Sequence, residues 1–157
     1  MFSNILVPLD GSELGEKALD MAKGLANSFK ATVHLMQVVS RKPELEARRQ
    51  SGAFFQTGGL ELELDQARKL IDSQLSRAKE YLEAKATELQ GAGVDVVTAI
   101  GEGAADEKII EYARENNVDI IIMSVHGHGG LRHLLLGSVT DRVVRSGEKA
   151  VLVVPVS

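Results

Sequence analysis

The residues of this chain that are best suited to chemistry follow an uninterrupted apolar run at positions 120–123. Ser124 and Gly127 come soon after the run, and Gly137 and Ser138 follow further along. Backbone N–H groups freed at a glycine turn, together with the unpaired N–H groups of the next helix, bind phosphate oxygens. Ser138 can both cap that helix and offer its hydroxyl to an anion. The stretch therefore predicts a phosphate-binding corner, with a simple turn and cap as the alternative.

The same loop carries His126 and His128, two residues apart. Such a pair can bind a transition metal, but no third ligand has convincing spacing, so histidines in solvent or beside phosphate are favoured. Neither GxxxxGK[ST] nor GxGxxG occurs in the chain. The absence of both fingerprints argues against a P-loop NTPase and against a dehydrogenase.

The elements that must position these residues alternate between strand and helix patterns. Apolar runs predict five strands, at about 5–9, 32–39, 94–100, 120–123 and 150–156. Four amphipathic helices separate them, which predicts a single-domain, open, doubly wound five-stranded parallel sheet flanked by four helices. Ligands of such sheets lie beyond the carboxyl ends of the strands, where the strand order reverses. If the first and fourth strands are neighbours there, Asp10, Val38 and the glycine-rich loop face one crevice.

Positions 40–60 show no clear periodicity and contain Pro43, Ser51-Gly52 and Gly58-Gly59. We expect a long loop with room for a helical turn, and a mobile segment is favoured over a lid. Phe54 and Phe55 within it are free to pack on the body or on a partner, and the sequence does not choose between these.

Composition limits the classes of function. The 157 residues suit one domain, 1–157, and 44% hydrophobic with 25% charged residues is typical of a globular protein. A net charge of −4 argues against broad binding to nucleic acid or to an anionic membrane. There is no cysteine, which excludes disulfides and thiol nucleophiles. The first residues show no signal-peptide pattern, so a cytoplasmic location is expected.

At four places the chain resembles the universal stress protein family, over nearly its full length. The matching segments are 5–12 (ILVPLDGS), 118–123 (VDIIIM), 135–139 (LLGSV) and the hydrophobic C-terminal end. Each segment alone is weak, but the set in this order is specific. The resemblance implies a fold like that of the adenine nucleotide alpha hydrolases.

Members of that family that bind ATP carry a Gly, two residues, a second Gly, nine residues, then Gly-Ser or Gly-Thr. Aligned on Gly137-Ser138, the second glycine is Gly127 and the first falls on Ser124. Serine keeps the backbone N–H, so a main-chain contact survives the replacement. A position that needs positive φ or close approach to a ribose would instead be hindered by serine.

The resemblance also implies roles for individual residues. ATP would bind with Mg²⁺ or Mn²⁺ carried by its phosphates. Asp10 and the main chain of Val38 would lie on the nucleoside side, Met123 and Ser124 would form the floor under the ribose, and Gly127, Gly137, Ser138 and Val139 would surround the triphosphate. Three further residues are expected to contact the nucleotide: Pro8, Leu9 and His126.

The function implied is that of a cytoplasmic stress-response protein whose conformation or partners depend on bound ATP. The alternatives are a slow ATPase or phosphoryl-transfer enzyme, for which no assured base is found, and a dimeric interaction module that binds no nucleotide. The final apolar strand is expected to pair with a second copy, giving a homodimer, and Pro155 limits that pairing.

Overall fold

The computed structural model describes residues 1–51, 57–126 and 136–156. Its strands are β1 (Asn4–Leu9), β2 (Thr32–Val39), β3 (Asp95–Glu102), β4 (Ile120–His126) and β5 (Ala150–Val156). Its helices are α1 (Gly15–Phe29), α2 (Lys42–Ser51), α3 (Thr57–Gly91), α4 (Ala105–Glu115) and α5 (Ser138–Ser146). The predicted open α/β fold is confirmed, with five helices where the sequence pattern predicted four.

The five strands form one parallel sheet in the order β3-β2-β1-β4-β5. The chain moves outward from β1 to β3, then returns to place β4 on the other side of β1. The strand order therefore reverses between β1 and β4, the two strands that end in Asp10 and in the glycine-rich loop. The condition for a shared crevice is met.

Pro8 sits where this reversal opens. The ladder between β1 and β2 runs to Leu9, but the ladder between β1 and β4 contains only the pairs of Ile5 and Leu6. Pro8 pairs with Met36 in the ladder to β2, and proline has no N–H that could donate a hydrogen bond to β4. Beyond Leu6 the two strands share no further paired residues, and a gap is left at the carboxyl edge.

Two apolar cores cover the two faces of the sheet. On one face, alternate residues such as Val7 and Leu35 pack with α1 and with Leu82 of α3. On the other face, Leu6 and Met36 belong to a cluster that includes residues of α4 and α5. Because neighbouring residues of a strand point to opposite faces, the central strands are apolar along their length, as their sequence pattern indicated.

The expected long loop at 40–60 is partly wrong, because Lys42–Ser51 forms the helix α2. Ser40 stabilises the start of this helix, because its Oγ accepts a hydrogen bond from the N–H of Lys42 at 3.1 Å. Glu44 then pairs with Arg41 and, one turn later, with Arg48. Interactions between charged side chains stabilise this polar helix. Because the helix has no apolar stripe, its sequence shows no helical periodicity of apolar residues. Phe54 and Phe55 lie outside the described residues.

Within the described ranges, no helix is both long enough and apolar enough to cross a membrane.

Candidate functional site

The gap between β1 and β4 is a cleft of about 470 Å³ at the carboxyl edge of the sheet. Eight of the eleven predicted site residues line it: Pro8, Leu9, Asp10, Val38, Met123, Ser124, Gly137 and Val139. Ser138 is the adjacent first residue of α5, and His126 is the last residue of β4. Gly127 and His128 lie outside the described residues. Residues from both ends of the chain therefore meet at the position predicted for the phosphate-binding corner.

The cleft also has apolar lining residues that the sequence analysis did not select. Met36 of β2 and Ile109 of α4 belong to the same buried cluster as Met123. Met36 lies two residues before Val38, so the two side chains share a face of the sheet, and this spacing was a usable signal. Ile109 carried no such signal, because only the packing of α4 on the sheet brings it here. Together these side chains suit the flat, apolar face of an aromatic ring.

Asp10 is held in a fixed orientation by the turn that follows β1. Its Oδ1 accepts hydrogen bonds from the N–H of Ser12 at 2.9 Å and from the hydroxyl of Ser12 at 2.5 Å. Gly11 lies between them with a φ of +84°, a conformation that side-chain-bearing residues rarely adopt. Among the described residues, no hydrogen-bond partner is found for Oδ2 of Asp10. This oxygen is therefore an available acceptor at the edge of the cleft.

Ser124 is accommodated without strain. It lies within β4, and in the part of the chain that the structure describes the non-glycine residues of positive φ are Lys30 and Asn117. Its Oγ accepts a hydrogen bond from the backbone N–H of Ala18 in the first turn of α1, at 3.0 Å. The position therefore needs no glycine for its backbone conformation, and the serine side chain is turned toward α1.

The start of α5 forms the part of the cleft suited to an anion. Gly137 is the N-cap residue, with φ −61° and ψ 159°, and no side chain caps the helix. The expectation that Ser138 caps this helix is wrong, because Ser138 is already its first helical residue. The first N–H groups of a helix lack intrahelical acceptors, and among the described residues no side chain accepts hydrogen bonds from them here. They are free to bind phosphate oxygens.

Nothing in the described part of the chain requires glycine at position 137. Its φ is one that any residue adopts, and a Cβ added to it would meet no described atom within 4 Å. Glycine at such a place leaves room for a ligand to approach the backbone closely.

Among the described residues, no group of three or more His, Asp or Glu side chains is arranged to hold a metal ion.

Comparisons with known proteins agree with this fold. The model of the universal stress protein family matches residues 1–155. The universal stress protein MJ0577 of Methanocaldococcus jannaschii is 34% identical over 155 residues, which are 98% of this chain and 95% of that protein. A solved structure of MJ0577 has a TM-score of 0.76 at 32% identity and covers 100% of this chain and 98% of its own. A universal stress protein solved in complex with cAMP shares the fold, with a TM-score of 0.66 at 21% identity, covering 99% of this chain and 98% of its own.

Proposed function

We propose that this chain, which belongs to the universal stress protein family, binds ATP in the cleft between β1 and β4 and acts as a nucleotide-dependent regulator in the cytoplasm. The observation that carries the proposal is the cleft itself. It combines an apolar floor, an oriented carboxylate and an uncapped helix start within about 470 Å³. The binding of cAMP by a member of the same fold supports an adenine nucleotide as the ligand class.

The proposed pose follows from the chemistry of the lining. The adenine ring packs among Met36, Ile109 and Met123, where apolar burial favours it. The free Oδ2 of Asp10 accepts a hydrogen bond from a ribose hydroxyl, because a carboxylate oxygen can only accept. The phosphates lie at the N-terminus of α5 beside Gly137, where N–H groups and the helix dipole favour negative charge. Bound Mg²⁺ or Mn²⁺ would neutralise part of the phosphate charge.

Isothermal titration calorimetry of the nucleotide-stripped protein with ATP and Mg²⁺ tests this proposal. We expect saturable binding to the wild type and its loss in Gly137→Val, because the added side chain occupies the space beside the helix start. Folding should be unaffected, since the backbone at Gly137 accepts a side chain and no described atom is near. Gly24→Val is the matched control, because a Cβ at Gly24 also meets open space, in α1 and outside the cleft lining.

The titration also separates the alternatives. Absence of binding in the wild type would contradict the proposal and favour an interaction module that binds no nucleotide. Release of phosphate by the ATP-bound protein, lost in Gly137→Val, would favour a slow ATPase.

We further propose that the protein is a homodimer that pairs through β5. This strand lies at one end of the sheet and its residues 151–154 are only half-buried. An apolar edge strand exposes unpaired backbone groups, which pairing with a second copy would satisfy. We expect sedimentation to give a dimer mass for the wild type and a monomer mass for Val153→Lys. Val97→Lys, on the opposite edge strand β3, is the control that should remain dimeric. A concentration-independent monomer mass for the wild type would contradict the proposal.

A further inference from the structure

Ser124 stands at the first glycine position of the family motif, and the structure gives its side chain a definite environment. It lines the cleft near the end of β4, and it is half-buried. Ile122, two residues earlier, packs in the core on the α1 and α3 face of the sheet, so Ser124 projects to that face as well. The side chain therefore lies between the first turn of α1 and the space proposed for the nucleotide.

The contact with α1 limits where the hydroxyl hydrogen can point. A serine hydroxyl has one hydrogen to donate and two lone pairs to accept with. The N–H of Ala18 donates to Oγ at 3.0 Å, so one lone pair faces Ala18 and the O–H bond must point elsewhere. Among the described residues, no acceptor for this hydrogen is found. A side chain at the wall of a cleft with an unused donor is suited to binding a ligand oxygen.

The group that orients Ser124 is itself firmly held. Ala18 is fully buried, with 0% of its surface exposed. Three residues earlier, Gly15 allows the start of α1 to lie so close to β1 that a Cβ there would come within 2.6 Å of Leu9 Cδ2. The donor that fixes the serine is thus part of the rigid core. A ligand would meet a hydroxyl oxygen whose position is set before binding, which lowers the entropy lost on binding.

We propose that Ser124 is a ligand-binding residue whose hydroxyl, oriented by the N–H of Ala18, donates a hydrogen bond to an oxygen of the sugar–phosphate part of the bound nucleotide. This inference rests on the proposed function. The family motif has glycine at this position, so a serine would be expected to obstruct the ligand. We infer the opposite effect, because the serine adds a hydrogen-bond donor. Restoring the family's glycine with Ser124→Gly should then weaken binding.

Calorimetry with ATP and Mg²⁺ on four proteins tests the inference. Ser124→Gly and Ser124→Ala should bind ATP about three- to tenfold more weakly than the wild type, the range expected for one hydrogen bond. Ser124→Thr keeps the hydroxyl and should stay within about threefold of the wild type. The same titrations with adenosine locate the accepting oxygen. An equal loss with adenosine places it on the sugar, and a loss confined to ATP places it on a phosphate; both outcomes support the proposal.

A control separates this role from a merely structural one. Ser28→Ala removes another serine hydrogen bond of α1, from Oγ to the carbonyl of Gly24 at 2.9 Å, at an exposed site outside the cleft lining. It should change stability without changing ATP affinity. Amide exchange at Ala18 should accelerate in Ser124→Gly and Ser124→Ala and remain slow in Ser124→Thr.

Accelerated exchange at Ala18 with unchanged ATP affinity would overturn the inference and leave Ser124 as a structural tie. ATP binding by Ser124→Gly that equals or exceeds the wild type would overturn it as well, while the proposed function stands. Absence of binding in the wild type would overturn both.

Discussion

Gly15 offers a quantitative test of how tightly α1 is seated on β1. A Cβ at this position would lie 2.6 Å from Leu9 Cδ2 and 3.9 Å from Leu9 Cγ, and Leu9 is only 5% exposed. Carbon atoms pack at about 3.5–4.0 Å, so Leu9 must move if Gly15 becomes alanine. Because the atom that must shift is the end of the Leu9 side chain, we expect the lower part of the overpacking range, about 1–2 kcal/mol. Alanine gains little helix propensity in return, because Gly15 is the first residue of α1.

Gly24 provides a matched control within the same helix. It lies in the helix interior, and a Cβ added there meets no described atom within 4 Å. Replacing such a glycine by alanine stabilises a helix by about 0.5–1 kcal/mol. For a chain of this length, 1 kcal/mol corresponds to a shift in Tm of about 3 °C. We therefore expect Gly24→Ala to raise Tm by about 2–3 °C and Gly15→Ala to lower it by about 3–6 °C.

Thermal unfolding followed by circular dichroism measures both shifts, and a second substitution tests the cause. Leu9→Val removes the atom that the new Cβ would meet, so Gly15→Ala should be far less destabilising in the Leu9→Val background. A double-mutant cycle should give a coupling of about 1 kcal/mol or more. The reasoning is refuted if Gly15→Ala melts at or above the wild-type temperature, or if the cycle shows no coupling.

Two further predictions concern the amino-terminal edge of the sheet, opposite the cleft. The ring of His34 bonds to Tyr112 Oη at 2.8 Å and to Asn4 Oδ1 at 3.0 Å, and burial lowers its pKa below 6.5. The unfolded chain binds this proton more readily, so the free energy of unfolding should fall as pH drops below about 6.5; urea titrations at several pH values should show less of this loss in His34→Gln. The carboxylate of Asp119 accepts hydrogen bonds from the N–H groups of Asn4 and Ser3, which lower its pKa below 3.8. Asp119→Ala should lower the free energy of unfolding at pH 7 by about 1 kcal/mol, at the low end for a charged hydrogen bond because the carboxylate is exposed. That difference should shrink below pH 3.8, where the protonated wild type loses the same interaction; a constant difference at all pH values would contradict the explanation.

Much of the fold follows from local pattern. Strands such as β1 and β4 are apolar at consecutive positions, because a central parallel strand is buried on both faces. The helix α1 is visible in the four-residue spacing of Ala18, Ala22 and Ala26. These signals are local, so a sequence alone carries them. The helix α2 carried no such signal, because charge pairs such as Arg41 with Glu44 hold it instead of an apolar stripe.

The sequence by itself determined which residue types are available for the site: the carboxylate of Asp10, the glycine and serine at the start of α5, and a serine where the family has glycine. The tertiary structure decided how they are used. It separates β1 from β4 beyond Leu6, brings Ile109 across the sheet to the cleft, and places the Oγ of Ser124 against the N–H of Ala18, 106 residues away in the chain. These outcomes depend on how helices and strands pack at long range, and no spacing along the chain encodes such distances. The residue types of the site can therefore be read from the sequence. The direction in which each of these side chains points is fixed only when the sheet and its helices assemble.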